Sequence, residues 1–301
     1  MLLRQLEYLV ALAHTGHFAR AAQNCFVSQP TLSEGIRKLE SELGVPLVRR
    51  GHRFEGLTAE GEEVVVWARR MLADRDAMTA GLAALRSGLE GELRIGAVPT
   101  AVAAVALLTQ PFCAANPHTT VRVHADLQGD EIVRRLRAFE LHGAVTYPTR
   151  EPGLPFVPLY RERYVLLTQE SADVDAEGVG WAEAAGRPLC LLHPHMVGRQ
   201  VLDAVFAELR VAVAPRVETD SIASLIAHVR TGNWSTVVPH TWLHVFGIPA
   251  GMRAVPLLRP RRSASIGLLL PPRTPLSVME QALADLARTS SMHTVLDGLP
   301  G

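Results

Sequence analysis

Gln29, Thr31, Ser33, Glu34, Arg37 and Lys38 stand on the outward side of a helical pattern, where amides, hydroxyls and charges offer directional hydrogen bonds to another polar surface. Arg49, Arg50 and Arg53 follow in "LVRRGHRFEGLT", a cluster of cations suited to phosphate. Pro99-Thr100-Ala101 and Asp220-Ser221 each open a helical run, so free N–H groups and a hydroxyl would receive an anion there, although a plain capping role accounts for the same residues. "LLHPHM" and "PHTWLH" carry His193, His195, His240 and His244, which raise the question of a metal ion. No cysteine or carboxylate clusters with them in sequence, so no metal is assigned, and His193 and His195 read as hydrogen-bonding groups facing a ligand. Cys25, Cys113 and Cys190 are far apart, without disulfide or zinc spacing. A peroxide-sensing thiol at Cys190 would need a resolving cysteine nearby, and none follows. Nothing assembles a nucleophile, a base and an orienting acid, and no glycine loop cradles a phosphate. No cofactor is implied.

The elements that must hold these groups follow from periodicity and caps. Leu3, Leu6, Leu9, Val10 and Ala13 predict a first helix closed by Gly16, and a short alanine-rich helix spans 18–24. Ser28 is a natural N-cap, Pro30 is harmless in a first turn, and Leu32, Ile36, Leu39 and Leu43 predict one buried stripe ended by Gly44 and Pro46. Helix, helix, tight turn, helix is the arrangement that presents a second helix to a DNA major groove. The extended pieces around Gly51 then form a basic wing. From Ala59 to Ser87 runs one long helix with Thr58 as cap; Val64, Ala68, Met71, Arg75, Met78, Leu82 and Leu85 form a heptad-like stripe that predicts pairing with a second copy, Arg75 setting register. Beyond a hinge at Gly88 and Gly91, strands near 92–97, 121–127, 143–147, 164–168, 189–192, 215–218 and 235–239 alternate with helices. That alternation predicts parallel α/β sheets in two lobes with a cleft between them.

The chain has 301 residues, 48% hydrophobic and 20% charged, enough for two or three domains. Thirty basic residues balance thirty acidic ones, so any nucleic-acid patch must be local; residues 1–58 carry seven Lys or Arg against five acidic residues. The N-terminus lacks a signal-peptide pattern and no apolar run of about 18 residues exists, so a soluble, cytoplasmic protein with no membrane association is expected.

Over its whole length the chain resembles the LysR-type transcriptional regulators. The resemblance is carried by Arg4-Gln5-Leu6, Phe18-Ala19-Arg20-Ala21-Ala22, Val27-Ser28-Gln29-Pro30-Thr31-Leu32-Ser33, Leu39-Glu40, Leu43-Gly44, Leu47 with Arg49, and Leu57-Thr58-Ala59-Glu60-Gly61, and more weakly by "GELRIG" and "HVRTGNWSTVVP". It implies a winged helix-turn-helix at 1–58, a linker (dimerisation) helix at 59–87, and a periplasmic-binding-protein-like effector domain at 88–301. Lobe 1 would be about 92–162 and 266–295, and lobe 2 about 163–265. It further implies double-stranded operator DNA, a small-molecule effector, a homodimer or homotetramer, and RNA polymerase as partner if the protein activates. "HVRTGNWSTVVPHTWL" also resembles the branch of regulators found beside formate dehydrogenase genes. The chain departs from the family's habits at His17, where serine usually caps the second helix; at Glu34, where a basic or amide residue is common; at Val48, which replaces phenylalanine; and at Trp234, where the family tends to place a small residue.

On this reading Gln29 pairs with adenine, Ser33 contacts several bases, Thr31 offers a methyl to thymine, and Glu34 either accepts from cytosine or repels phosphate. Ser28 and Pro30 shape the helix start, and Arg20, Arg37, Lys38, Arg49, Arg50 and Arg53 hold phosphates. The effector cleft is expected between Pro99, Thr100, Ala101 and Gln128 on one side and His193, His195 and Ser221 on the other, with Trp234 filling volume, so that a small anion or carboxylate fits best. Competing readings are a metal- or redox-responsive regulator of the same fold and, from a different class, a stand-alone ligand-binding protein or an enzyme; the last two have no need of residues 1–87.

Overall fold

The computed structural model describes residues 1–50, 54–258 and 260–297. The chain divides into two units, Met1–Gly88 and Leu89–Gly301.

In the first unit α1 (Leu3–Thr15), α2 (Phe18–Asn24) and α3 (Gln29–Leu43) enclose a core of Leu6, Leu9, Leu12, Ala21, Ala22, Leu32, Ile36 and Leu39. The α1 stripe is centred on Leu6, Leu9 and Leu12, with Val10 and Ala13 half-buried against it, whereas Leu3 and Leu43, counted in the α1 and α3 stripes, are exposed. Gly16 and Gly44 end α1 and α3 in the left-handed conformation that glycine adopts without strain. The predicted loss of a cap at His17 does not occur: its Nδ1 accepts from the Ala19 N–H at 3.1 Å. Behind α3 the wing strands β1 (Val48–Arg50) and β2 (Phe54–Leu57) pair antiparallel. Glu40 pins the wing to α3, its Oε1 accepting from the N–H groups of Leu47 and Val48 at 2.9 and 3.1 Å.

Helix α4 (Ala59–Ser87) starts on Thr58, whose Oγ1 accepts from the Gly61 N–H at 2.9 Å and donates to the Pro46 carbonyl at 2.7 Å. The Leu47 carbonyl lies so close to Gly61 that any Cβ there would strike it. Only the N-terminal half of the predicted stripe is covered by its own unit: Val65 and Ala68 are buried, with Val64 and Leu72 packed beside them. Trp67, Met71, Met78, Leu82 and Leu85 remain exposed, Leu85 at 85%. Arg75, expected to set register, also has partners within its own chain. Its guanidinium pairs with Glu7 of α1 and with Asp76.

The second unit is built on a mixed sheet, not on the parallel sheets expected. β3 (Gly91–Ala97) pairs in parallel with β4 (Thr119–His124) and β5 (Gly143–Thr146), whereas β12 (Ser263–Leu269) runs antiparallel to β5 and to β6. β6 (Phe156–Gln169) is one long strand of which 164–168 was only the second half. Its residues 156–163 pair with β12, and 164–169 pair with β10 (Thr236–Pro239) and β11 (Met252–Leu258), so one strand serves both lobes. The short β7 (Val179–Gly180) joins β11, and a separate parallel pair consists of β8 (Cys190–Leu192) and β9 (Val217–Thr219).

Helices α5 (Val102–Ala115), α6 (Gly129–Arg137), α11 (Val278–Thr289) and α12 (Met292–Asp297) belong to the first lobe; α7 (Trp181–Ala185), α8 (Val197–Glu208), α9 (Ile222–Arg230) and α10 (His240–Phe246) belong to the second. Each lobe has its own apolar core, around Leu93, Phe112 and Leu283 in one and around Trp181, Phe206 and Val229 in the other.

Candidate functional site

Two places gather the groups singled out by the sequence. The first is the start of α3. Ser28 Oγ accepts from the Thr31 N–H at 3.3 Å and meets the Thr31 hydroxyl at 2.7 Å, which fixes the first turn around Pro30. Gln29, Pro30, Thr31, Glu34, Arg37 and Lys38 are exposed and Ser33 is half-buried, because Leu32, Ile36 and Leu39 take the opposite face. Glu34 lies 3.7 Å from Arg37, an exposed pair worth at most about 1 kcal/mol and easily opened. Arg20 donates to the Thr15 carbonyl at 3.0 Å and stays exposed. Arg49 is exposed beside Gly56 of the wing. The side chain of Arg50 and the whole of Arg53, both assigned to phosphate, lie outside the described residues.

Sequence reasoning missed Arg4, whose guanidinium sits over the Tyr8 ring and donates to the Cys25 carbonyl at 3.4 Å, still largely exposed beside the turn. Its motif neighbour Gln5 is buried and structural, reaching Glu42 at 3.3 Å.

The second place is a cavity of about 180 Å³ within the second unit, lined by Pro99, Asp126, Leu127 and Gln128 of the first lobe and by His195, Met196, Val197 and Asp220 of the second. Of the expected effector residues, Pro99, Gln128 and His195 line it. His193 lies against His195, with ring centres 4.3 Å apart and planes tilted by 47°, and their Nδ1 atoms touch. Ser221 caps α9, accepting from the Ser224 N–H, while its neighbour Asp220 faces the cavity.

Thr100 and Ala101 are buried behind the lining. The Thr100 hydroxyl meets Tyr147 at 3.2 Å, its carbonyl accepts from Trp242 Nε1 at 3.3 Å, and its methyl abuts Gly198, so this residue joins the lobes and lines a smaller cavity of about 20 Å³ with Arg199 and Trp242. Trp234 does not fill the cleft: it packs half-buried on the second-lobe core around Val165, Leu167 and Cys190. Met196 and Val197 were missed because nothing local distinguishes them from core residues.

Two helices begin at this cavity without a side-chain cap, α6 behind Gln128 and α8 behind Met196, whereas the short turn at Pro99 offers little, since proline has no N–H and the Ala101 N–H donates to the Val98 carbonyl at 2.9 Å. Uncapped first-turn N–H groups carry the positive end of the helix dipole. Asp126 and Asp220 supply opposing negative charge from the two sides. Behind Thr100 the Tyr147 hydroxyl donates to Glu162 Oε1 at 2.7 Å. Glu162 is fully buried where β6 passes between the lobes, and burial pushes its carboxyl up to about 8, the Tyr147 and Tyr164 hydroxyls opposing the shift. Cys190 is likewise buried, and burial raises its thiol to about 11. Among the described residues no group of three or more histidine, cysteine or acidic side chains is placed to hold a metal ion.

A helix-turn-helix with a wing, a long helix carrying an exposed apolar stripe, and a two-lobed unit with a cleft define a DNA-binding regulator that carries its own ligand-binding domain. Comparison with known proteins gives the family. Residues 3–62 match the bacterial regulatory helix-turn-helix protein of the lysR family, and residues 86–291 match the LysR substrate binding domain. The chain belongs to the LysR family of transcriptional regulators.

It is 31% identical to the DNA-binding transcriptional dual regulator OxyR of Escherichia coli (strain K12), over 96% of this chain and 95% of that one. Among solved structures, a full-length OxyR variant from Pseudomonas aeruginosa superposes with a TM-score of 0.77 at 26% identity, covering 98% of this chain and 97% of the other. Full-length CbnR complexed with its target DNA shares the fold, with a TM-score of 0.65 at 23% identity over 96% and 99% of the two chains. These relatives are regulators and not enzymes. They lend no support to the formate dehydrogenase branch. No described helix is long and apolar enough to cross a membrane.

Proposed function

We propose that the chain reads duplex operator DNA through α3 and the wing, assembles through the exposed half of α4, and is switched by a small mono-anion bound between the lobes of its second unit. The observation that carries the effector reading is the convergence of two uncapped helix starts, at Gln128 and Met196, on one cavity. At about 180 Å³ the space is below the roughly 300–1,000 Å³ of sites for drug-sized ligands. Asp126 and Asp220 disfavour a second negative charge. With Trp234 placed in the core, small volume, and not a tryptophan wedge, is what argues against ring-sized acids.

OxyR-like relatives include hydrogen peroxide-inducible genes activators, which favours a thiol sensor as second reading. The thiolate is the reactive species, and a thiol held near 11 supplies almost none at neutral pH, so Cys190 is a poor candidate.

Calorimetric titration of the full-length chain with formate, acetate, benzoate and tetramethylammonium tests the anion reading. The small carboxylates are expected to bind and the other two to fail. Val197→Pro, which removes one N–H at a helix position where proline fits, should weaken carboxylate binding several-fold. Preference for benzoate or for the cation, or no effect of Val197→Pro, would count against it.

A further inference from the structure

Phe26, in the turn between α2 and α3, combines two costly features. Its φ is +56°, in the left-handed region where a bulky side chain is strained. Phe26 is 94% exposed, so no packing among the described residues compensates. The hydrogen bonds explain the backbone: the Phe26 N–H donates to the Gln23 carbonyl at 3.1 Å and the Val27 N–H to the Ala22 carbonyl at 3.0 Å. That is the two-bond closure of a helix end, and its left-handed position is ordinarily given to glycine or asparagine. The turn itself therefore needs no phenylalanine there.

A strained residue with no internal reward points to a partner outside the chain. The immediate surroundings say which. Ser28, the cap of α3, is two residues on, and Gln29, Pro30 and Thr31 are exposed at the end of the helix that a helix-turn-helix directs into the major groove. On the other side Arg4 donates to the carbonyl of Cys25, one residue before, and keeps its cation exposed. An apolar ring flanked by base-reading polar groups and by a cation matches one feature of duplex DNA, the thymine C5-methyl group lying in the groove beside the phosphate backbone.

We infer that Phe26 is a specificity-determining residue, its ring packing on a thymine methyl at the margin of the sequence read by α3. The inference rests on the family's DNA-binding role for unit 1 and is independent of the effector.

The test uses the full-length chain and a duplex recovered by the wild type from a random-sequence pool. Phe26→Gly and Phe26→Asn both suit the left-handed position, so their melting temperature should equal or exceed that of the wild type. Both should bind the selected duplex about tenfold more weakly, with little change on unrelated duplexes. Replacing thymines one at a time by uracil, which lacks the methyl, should reveal one position that weakens the wild type by a similar factor and leaves the two variants indifferent. The inference is overturned if the variants bind as the wild type does, if they lose equally on all sequences, or if no uracil position depends on residue 26. A fall in melting temperature together with altered self-association would instead assign the ring to a contact between copies, and would also overturn it.

Discussion

At the scale of single residues, Gln29 owes its position to its neighbours. Ser28 closes the helix end, Pro30 fixes the first turn, and Leu32 and Ile36 pull the opposite face inward, leaving the amide in solvent. An amide so placed can hold an adenine edge by two hydrogen bonds, whereas Arg49 on the wing meets phosphates common to every sequence. Gln29→Ala should therefore weaken binding to a selected duplex by about 1–3 kcal/mol and random DNA hardly at all. Arg49→Ala should weaken both and flatten the salt dependence. Binding isotherms on both duplexes at two salt concentrations measure this, and equal losses for Gln29→Ala would remove its reading role. Such residues were legible because caps and helical spacing are local. The ion pair of Arg75 was not legible because Glu7 is 68 positions away. The surroundings of Thr100 were not legible because its contacts, Tyr147, Gly198 and Trp242, come from three other elements. His17 was misread because an imidazole nitrogen can replace a serine oxygen as a cap acceptor.

At the scale of elements, periodicity found α4 to its ends but could not say which partner each part of the stripe faces. Val65 and Ala68 are buried in the first unit's core, whereas Met78, Leu82 and Leu85 are not covered. The two halves should respond differently to charge. Leu82→Glu should leave the circular dichroism of the chain unchanged while sedimentation shifts toward a monomer and melting loses its dependence on protein concentration. Ala68→Glu should unfold the first unit, since it buries an unpaired carboxylate. An unchanged sedimentation coefficient for Leu82→Glu would refute pairing through this face. Strands were harder to read. β11 carries Pro256, a residue that argues against a paired strand, yet it lies between β6 and β7. β6 was cut in half because its two ends belong to different lobes and its outward residues change neighbours midway.

At the scale of the whole molecule, buried titratable groups set how stability varies with pH, and two in the second unit act in opposite directions. Glu162, at the passage of β6 between the lobes, has its carboxyl raised by burial from the ordinary 4.5 to about 8. The folded chain holds that proton more tightly than the unfolded one, so its contribution is complete below about 4.5 and is lost progressively up to about 8. His142 is the converse case. Burial, helped by the Arg94 cation, lowers its imidazole from 6.5 to about 4, so its contribution is complete above 6.5 and is lost as pH falls to about 4. His240, buried against Arg163 and Leu296, is shifted downward too and adds to the same side. Between about 4.5 and 6.5 the two slopes offset each other. With His240 added to His142, the melting temperature of the second unit should rise gently with pH up to about 6.5, should decline from about 6.5 to 8 as Glu162 alone titrates, and should fall towards pH 4. Glu162→Gln keeps the shape and an acceptor for the Tyr147 hydroxyl but cannot titrate. It should abolish the decline above pH 6.5 and steepen the rise from about 4 to 6.5, seen by differential scanning calorimetry across the series. A variant that keeps the wild-type decline between pH 6.5 and 8 would show that some other group carries it.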